Sequence, residues 1–236
     1  MRRYLVVDDN RDLAENLAEI LSDEVAEASV ALSGPQALEL VGRTRFDALV
    51  TDMRMPDMGG AELVHAVRRL DPGLPALVIT GYSEDRSLAA ARHEGLLAVL
   101  EKPIPLERLQ ALLGVARRDG LVAVVEDNPS QADNLAEVLA SRGFAAVTAA
   151  SVTETDRLGP VVPCCAVVDL RIPGGPDGEA MRRLAERFPG LPLLVVTAHE
   201  VEPPLPHRGL FRKPFDVAAL LEAVEAMHAG RAAAPP

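Results

Sequence analysis

Short apolar runs alternate along this chain with stretches in which apolar residues return every three or four positions. Tyr4-Leu5-Val6-Val7, Ala48-Leu49-Val50, Ala76-Leu77-Val78-Ile79 and Leu97-Ala98-Val99-Leu100 are near-continuous apolar runs. That is the pattern of strands buried on both faces of a parallel sheet. Between them, Leu13, Leu17, Ile20 and Leu21 share one helical face, as do Leu106, Leu109, Leu112 and Leu113. Ser33 with Gln36, and Ser151 with Glu154, have capping-box spacing and mark helix starts. The alternation predicts a doubly wound α/β sandwich.

The pattern occurs twice. Val6-Val7-Asp8-Asp9-Asn10 returns as Val124-Val125-Glu126-Asp127-Asn128, and Ala14-Glu15-Asn16-Leu17-Ala18-Glu19 returns as Ala132-Asp133-Asn134-Leu135-Ala136-Glu137. Asp52-Met53-Arg54-Met55-Pro56 is matched by Asp169-Leu170-Arg171-Ile172-Pro173, and Thr80 by Thr197. Lys102 and Lys213, the two lysines among 24 basic residues, both precede proline. A cationic position held as lysine in an arginine-dominated chain points to a need for a compact ammonium, which a planar guanidinium cannot imitate. The expected domains are 1–118 and 119–228, joined by the turn Asp119-Gly120, with a disordered tail over 229–236. So short a join predicts a preferred orientation of the two halves.

Composition narrows the function. A hydrophobic content of 48% supports two modest cores. A net charge of −11 argues against general affinity for nucleic acid or anionic membrane. No apolar run approaches membrane-spanning length, and the N-terminus lacks the form of a secretory signal. Cys164 and Cys165 cannot build a disulfide framework and read as core residues, which fits a reducing cytoplasm.

The polar residues at the predicted strand ends carry the chemistry. Asp8 and Asp9 end the first strand, Asp52 the third, Thr80 the fourth and Lys102 the fifth, and parallel sheets bring such ends to one edge. Glu126, Asp127, Asp169, Thr197 and Lys213 repeat the set. Two carboxylates about 4 Å apart repel by roughly 4 kcal/mol at an effective dielectric near 20, so the cluster needs a cation. Oxygen ligands favour Mg²⁺. A carboxylate beside that ion can act as a nucleophile toward phosphorus.

Both halves resemble the receiver domain of bacterial two-component response regulators. The resemblance rests on the acidic pair, Asp-x-Arg-x-Pro, the threonine and Lys-Pro at these spacings. It implies two flavodoxin-like, doubly wound, parallel five-stranded sheets in tandem, each of strand order 2-1-3-4-5. It implies phosphotransfer from a sensor histidine kinase or a histidine phosphotransfer protein, with no catalysis beyond self-catalysed phosphoryl acceptance and slow autodephosphorylation. Asp52 and Asp169 are then the phosphoacceptors. Asp9 and Asp127 are direct ligands of Mg²⁺, Asp8 and Glu126 act on it through water, and the backbone carbonyls of Arg54 and Arg171 complete its shell. Thr80 and Thr197 are the switch hydroxyls, and Lys102 and Lys213 bind the phosphoryl group. The family's face of fourth helix, fifth strand and fifth helix offers a homodimer surface on the first receiver.

Departures from the family pattern set further expectations. The aromatic residue common three positions before the lysine is replaced by Val99 and Leu210. In the second half, Pro203, Pro204 and Pro206 exclude a regular fourth helix over 200–207. Tyr82, His199, Arg54 and Arg171 stand where the family tunes the lifetime of the phosphoryl group. The pair Arg117-Arg118 reads as a dipole partner at a helix C-terminus, and His65 and His93 as surface residues. The leading expectation is a stand-alone tandem receiver in a phosphorelay that acts through protein contacts. A separately encoded receiver portion of a hybrid histidine kinase, and a second receiver that serves as a non-phosphorylated docking module, fit the same residues. An Asp-nucleophile phosphohydrolase would want a second acid two positions after the nucleophile, where Arg54 and Arg171 stand.

Overall fold

The computed structural model describes residues 1–81, 94–156, 158, 162–200 and 202–232. The first half contributes β1 (Arg2–Val7), α1 (Arg11–Leu21), β2 (Ala26–Ala31), α2 (Gly34–Arg43), β3 (Ala48–Asp52), α3 (Gly60–Leu70), β4 (Ala76–Thr80), β5 (Ala98–Glu101) and α4 (Leu106–Val115). The second contributes β6 (Leu121–Val125), α5 (Pro129–Ser141), β7 (Ala145–Ala149), α6 (Val152–Thr155), β8 (Cys165–Asp169), α7 (Glu179–Arg187), β9 (Leu193–Thr197), β10 (Gly209–Arg212) and α8 (Val217–Ala232). Each half forms a five-stranded parallel sheet, in the orders β2-β1-β3-β4-β5 and β7-β6-β8-β9-β10. These are the predicted 2-1-3-4-5 order, twice.

Local chemistry sets the helix starts. Asn10 and Asn128 occupy matching N-caps, their side chains accepting from Leu13 N and Gln131 N at 3.2 Å. At the predicted capping boxes, Ser33 and Ser151 accept from Gln36 N and Glu154 N, and the Gln36 and Glu154 side chains accept in return from Leu32 N and Ala150 N at 2.7 Å. The central strands β3, β4, β6, β8 and β9 are buried at every position. Cys164 and Cys165 are buried at the entrance to β8, as packing predicts.

Among the described residues from Ala198 to Arg208 none is helical. The prolines there remove backbone donors and crowd the preceding turn, so the chain runs directly to β10. The corresponding stretch of the first half, including Tyr82 and His93, lies outside the described residues. Two expectations are corrected. The C-terminal helix runs through Ala232, so residues 229–232 are helical, and Arg231 Nη1 bonds the carbonyls of Val162 and Pro163 at 3.0 and 2.9 Å. Arg117 and Arg118 lie beyond the end of α4 and fasten the linker instead.

That fastening works in both directions. Arg118 donates to Asp71 Oδ1 at 2.5 Å and to the Phe46 carbonyl, while Asp119, at φ 58°, donates its N–H to Gly73 O at 2.9 Å. Toward the second half, Arg117 N bonds Gly143 O at 3.0 Å and its guanidinium reaches Glu225 at 3.2 Å and the Phe144 ring. Arg142 reaches the same Glu225 oxygen at 3.2 Å, and His228 Nε2 lies 2.9 Å from Arg118 O. Ala146 N of β7 bonds Leu96 O, at the entrance to β5, at 3.3 Å. The β5 and α4 side expected to serve a homodimer therefore carries the second half of the same chain.

Candidate phosphoacceptor sites at the strand ends

The register of the sheets brings the predicted residues together. Asp8 follows β1, Asp52 closes β3, Thr80 closes β4, and Lys102 follows β5; the three side chains from β1, β3 and β4 are buried, at 6%, 7% and 1% exposure. Lys102 Nζ stands 2.6 Å from Asp52 Oδ1 and 3.5 Å from Asp8 Oδ2. The second Asp52 oxygen accepts Arg54 N at 2.8 Å, and Asp8 Oδ1 accepts Asn10 N at 2.9 Å. Gly60 at the start of α3 lets that helix close on the site, since a Cβ there would lie 2.4 Å from Asp52 O.

The second half repeats the arrangement with a tighter ammonium. Lys213 Nζ lies 2.7 Å from Glu126 Oε2 and 2.8 Å from Asp169 Oδ2. Asp169 Oδ1 accepts Arg171 N at 3.0 Å, and Glu126 Oε1 accepts Asn128 N at 3.3 Å. Glu126, one methylene longer than Asp8, stands closer to its lysine, at 2.7 Å against 3.5 Å for Asp8 and Lys102. Both lysines also bond the threonine carbonyls through their own backbone N–H, at 2.8 Å to Thr80 and 2.9 Å to Thr197. Thr197 Oγ1 accepts His199 N at 3.1 Å.

Electrostatics follow from burial and pairing. Burial pushes the Asp8 carboxyl above its usual range, and the charges of Asp52 and Asp9 add to this, against the Asn10 N–H and Lys102. For Lys102, burial alone would lower the ammonium, but the hydrogen bond and charge of Asp52, with Asp8, carry it upward. Lys213 is likewise raised against its burial by Asp169 and Glu126. The cation that the acidic clusters require is thus supplied by lysine in this arrangement.

The metal-ligand set is only partly assembled. Asp9 and Asp127 are exposed at the loop that follows the first strand of each half, and no group of three His, Cys, Asp or Glu side chains poised to hold a metal occurs among the described residues. The donors nevertheless fit Mg²⁺ by chemistry, since each site offers hard carboxylate oxygens at one strand edge. Asp8, Asp9 and Asp52, with the Arg54 carbonyl, would hold it in the first site; Glu126, Asp127 and Asp169, with the Arg171 carbonyl, would do so in the second.

Comparison with known proteins decides the family. The response regulator receiver domain profile matches residues 4–114. A response regulator receiver protein of Anaeromyxobacter sp. (strain Fw109-5) is 66% identical over 231 residues, covering 98% of this chain and 97% of the relative. The chain belongs to the response regulator receiver family. The response regulator MprA of Mycobacterium leprae is 38% identical over 109 residues, 46% of this chain and 48% of that protein. Among solved structures, the chemotaxis protein CheY4 of Vibrio cholerae is 30% identical, covering 48% of this chain and 97% of that one with a TM-score of 0.45.

Within this receiver protein several contacts around the sites escaped sequence reasoning. Arg171 donates to Asp177 Oδ2 at 3.1 Å and lies 3.4 Å from His199 Nε2, so two residues read as separate tuning positions are neighbours. Asn10 and Asn128 each donate a backbone N–H to the acid two residues before them while capping a helix, and their recurrence in both halves was the available signal. His65 is exposed, as expected, but pairs with Glu94 at 2.8 Å. Val99 is half-buried and Leu210 is 38% exposed at the positions of the missing aromatic.

Proposed function

We propose that this chain is a tandem receiver that accepts phosphoryl groups on Asp52 and Asp169 from the phosphohistidine of a sensor kinase or phosphotransfer protein, and passes the signal through protein contacts. One observation carries the reading. Twice over, a buried aspartate at the end of the third strand is held between a backbone N–H and the ammonium of a Lys-Pro pair.

The chemistry suits those groups. A carboxylate oxygen forms a bond to phosphorus as the P–N bond to histidine breaks, and the electron pair leaves on the imidazole nitrogen, the ring departing neutral when its other nitrogen holds a proton. Asp52 and Asp169 are oriented for attack by Arg54 N and Arg171 N. Lys102 and Lys213 supply positive charge toward the equatorial oxygens, and the buried hydroxyls of Thr80 and Thr197 stand at the same strand edge to donate to one of them. Mg²⁺, when bound, supplies further neutralisation of phosphoryl charge. No helix among the described residues is long and apolar enough to cross a membrane, and a cytoplasmic location is part of this proposal.

A second reading concerns the second half. The absence of helix among the described residues between Ala198 and Arg208 favours a receiver-shaped docking module there. Trapping with borohydride after treatment with acetyl phosphate and Mg²⁺ separates the two. Reduction of an aspartyl phosphate leaves homoserine at the modified position. Homoserine at both 52 and 169 is the expected result; homoserine at 52 alone supports the docking module, and unmodified peptides at both positions would contradict the proposal.

A further inference from the structure

The two strand-end sites hold the same kinds of charge but distribute them differently. Asp8, Asp9, Asp52 and Lys102 stand in one, and Glu126, Asp127, Asp169 and Lys213 in the other. In the first, Asp52 Oδ1 accepts Lys102 Nζ at 2.6 Å, Asp52 Oδ2 accepts Arg54 N at 2.8 Å, and Asp8 Oδ1 accepts Asn10 N at 2.9 Å. Asp8 Oδ2 meets the ammonium only at 3.5 Å, beyond the roughly 2.7–3.2 Å of an ordinary N–H···O bond. In the second, each oxygen of the matching pair has a close donor. Lys213 Nζ serves Glu126 Oε2 at 2.7 Å and Asp169 Oδ2 at 2.8 Å, while Asn128 N and Arg171 N serve the other two oxygens at 3.3 and 3.0 Å.

Burial sharpens the contrast. The Lys213 side chain is 19% exposed against 34% for Lys102, so a displaced Lys213 has less water to turn to. A divalent cation is drawn by the same carboxylates and is repelled by the ammonium, more strongly as solvent recedes. In the first site such an ion gains Asp8 Oδ2 without parting a short contact. In the second it must part a charge-assisted bond to Lys213 before it gains any share of Glu126.

We infer that the two sites differ in their demand for the divalent cation: the first fills before the second, and Glu126, where the first site has Asp8, sets the difference. This rests on the reading of Asp52 and Asp169 as phosphoacceptors beside a divalent cation. Weakening one charge-assisted contact shifts a binding constant by about tenfold or more. At a cation concentration between the two affinities, only Asp52 is prepared to accept a phosphoryl group. The order of phosphorylation is then set by the second acid of each site, with Asp52 ahead of Asp169.

The test titrates the full chain with Mn²⁺ alone, an ion of the same preference for oxygen ligands, and counts the free ion by electron paramagnetic resonance. Two sites with dissociation constants about tenfold or more apart are expected. Asp9→Asn should remove the tighter and Asp127→Asn the weaker. Glu126→Asp should bring the second site to within about threefold of the first. Should that variant misfold, Asp8→Glu puts the same question to the first site, which should weaken toward the second. Intact mass after acetyl phosphate, over a series of Mg²⁺ concentrations, should show Asp52 modified at lower Mg²⁺ than Asp169. Two sites of equal affinity, a weaker site that disappears with Asp9→Asn, or a gap unmoved by both Glu126→Asp and Asp8→Glu overturns the inference alone. Absence of bound Mn²⁺ together with absence of uptake at both aspartates overturns the reading of the sites and the inference with it.

Discussion

Lys213 Nζ lies 2.8 Å from Asp169 Oδ2 while reaching Glu126 Oε2 at 2.7 Å, so one ammonium neutralises two buried acids. Lys213→Ala leaves both carboxylates without their cation in a poorly solvated place. The expected cost to the second half is about 2–4 kcal/mol, read by chemical denaturation. Phosphoryl uptake at Asp169 should fall with it. Lys213→Arg should not restore uptake, because a planar guanidinium cannot take the position of a compact ammonium between two acids.

Asp8 gives a prediction of opposite sign. Burial raises its carboxyl above the ordinary value, with Asp52 and Asp9 adding to the effect. A carboxyl raised in the folded state stabilises the fold below its unfolded pKa, and that contribution is lost as pH rises through the folded value. At neutral pH the charged side chain is therefore a cost. Asp8→Asn keeps an acceptor for Asn10 N and leaves Lys102 its 2.6 Å contact with Asp52. Its melting temperature at pH 7 should rise by about 2–4 °C, a change of roughly 1 kcal/mol, and the gain should shrink toward pH 4. A variant that melts lower than the parent at pH 7 would contradict this account of the site.

Arg68 is 3% exposed, and burial pulls its pKa down to about 10. Its guanidinium donates to Glu94 O at 3.1 Å, Pro72 O at 3.0 Å, and Leu74 O and Gly95 O at 2.5 Å, joining α3 to the entrances of β4 and β5. Arg68→Ala strips the partner from four carbonyls and should cost about 3 kcal/mol or more in the first half. Arg68→Lys should recover little of this, since three ammonium protons cannot serve four diverging acceptors. Thermal unfolding of the two variants measures both effects.

The join between the halves can be probed at Gly143. Its φ is +83°, and a Cβ there would lie 1.8 Å from Val115 O at the end of α4. Gly143→Ala therefore adds backbone strain and forces the halves apart at the point where Arg117 N bonds Gly143 O. Calorimetry should show two separated unfolding transitions in the variant where the parent shows more closely coupled ones.

Some parts of this structure are written locally and others only across the fold. Asp8, Asp52, Thr80 and Lys102 were legible because each ends an apolar strand, and a parallel sheet fixes where strand ends go. Ser33 and Ser151 were legible because a capping box is complete within four residues. Arg117 and Arg118 were misread because what they hold, Glu225 and Asp71, is distant in sequence. Arg68 was passed over for the same reason: its acceptors are backbone carbonyls, which carry no sequence signal. The last turns of α8 read as a tail because Gly230 and the alanines suggest fraying, and the bonds from Arg231 to Val162 and Pro163 are non-local.

Both strand-end aspartates are proposed to accept phosphoryl groups. Intact-mass spectrometry after acetyl phosphate and Mg²⁺, on the parent, Asp52→Ala and Asp169→Ala, tests this most directly. Two added phosphoryl groups are expected on the parent and one on each variant. A parent that gains none, or gains groups that survive both substitutions, would contradict the proposal.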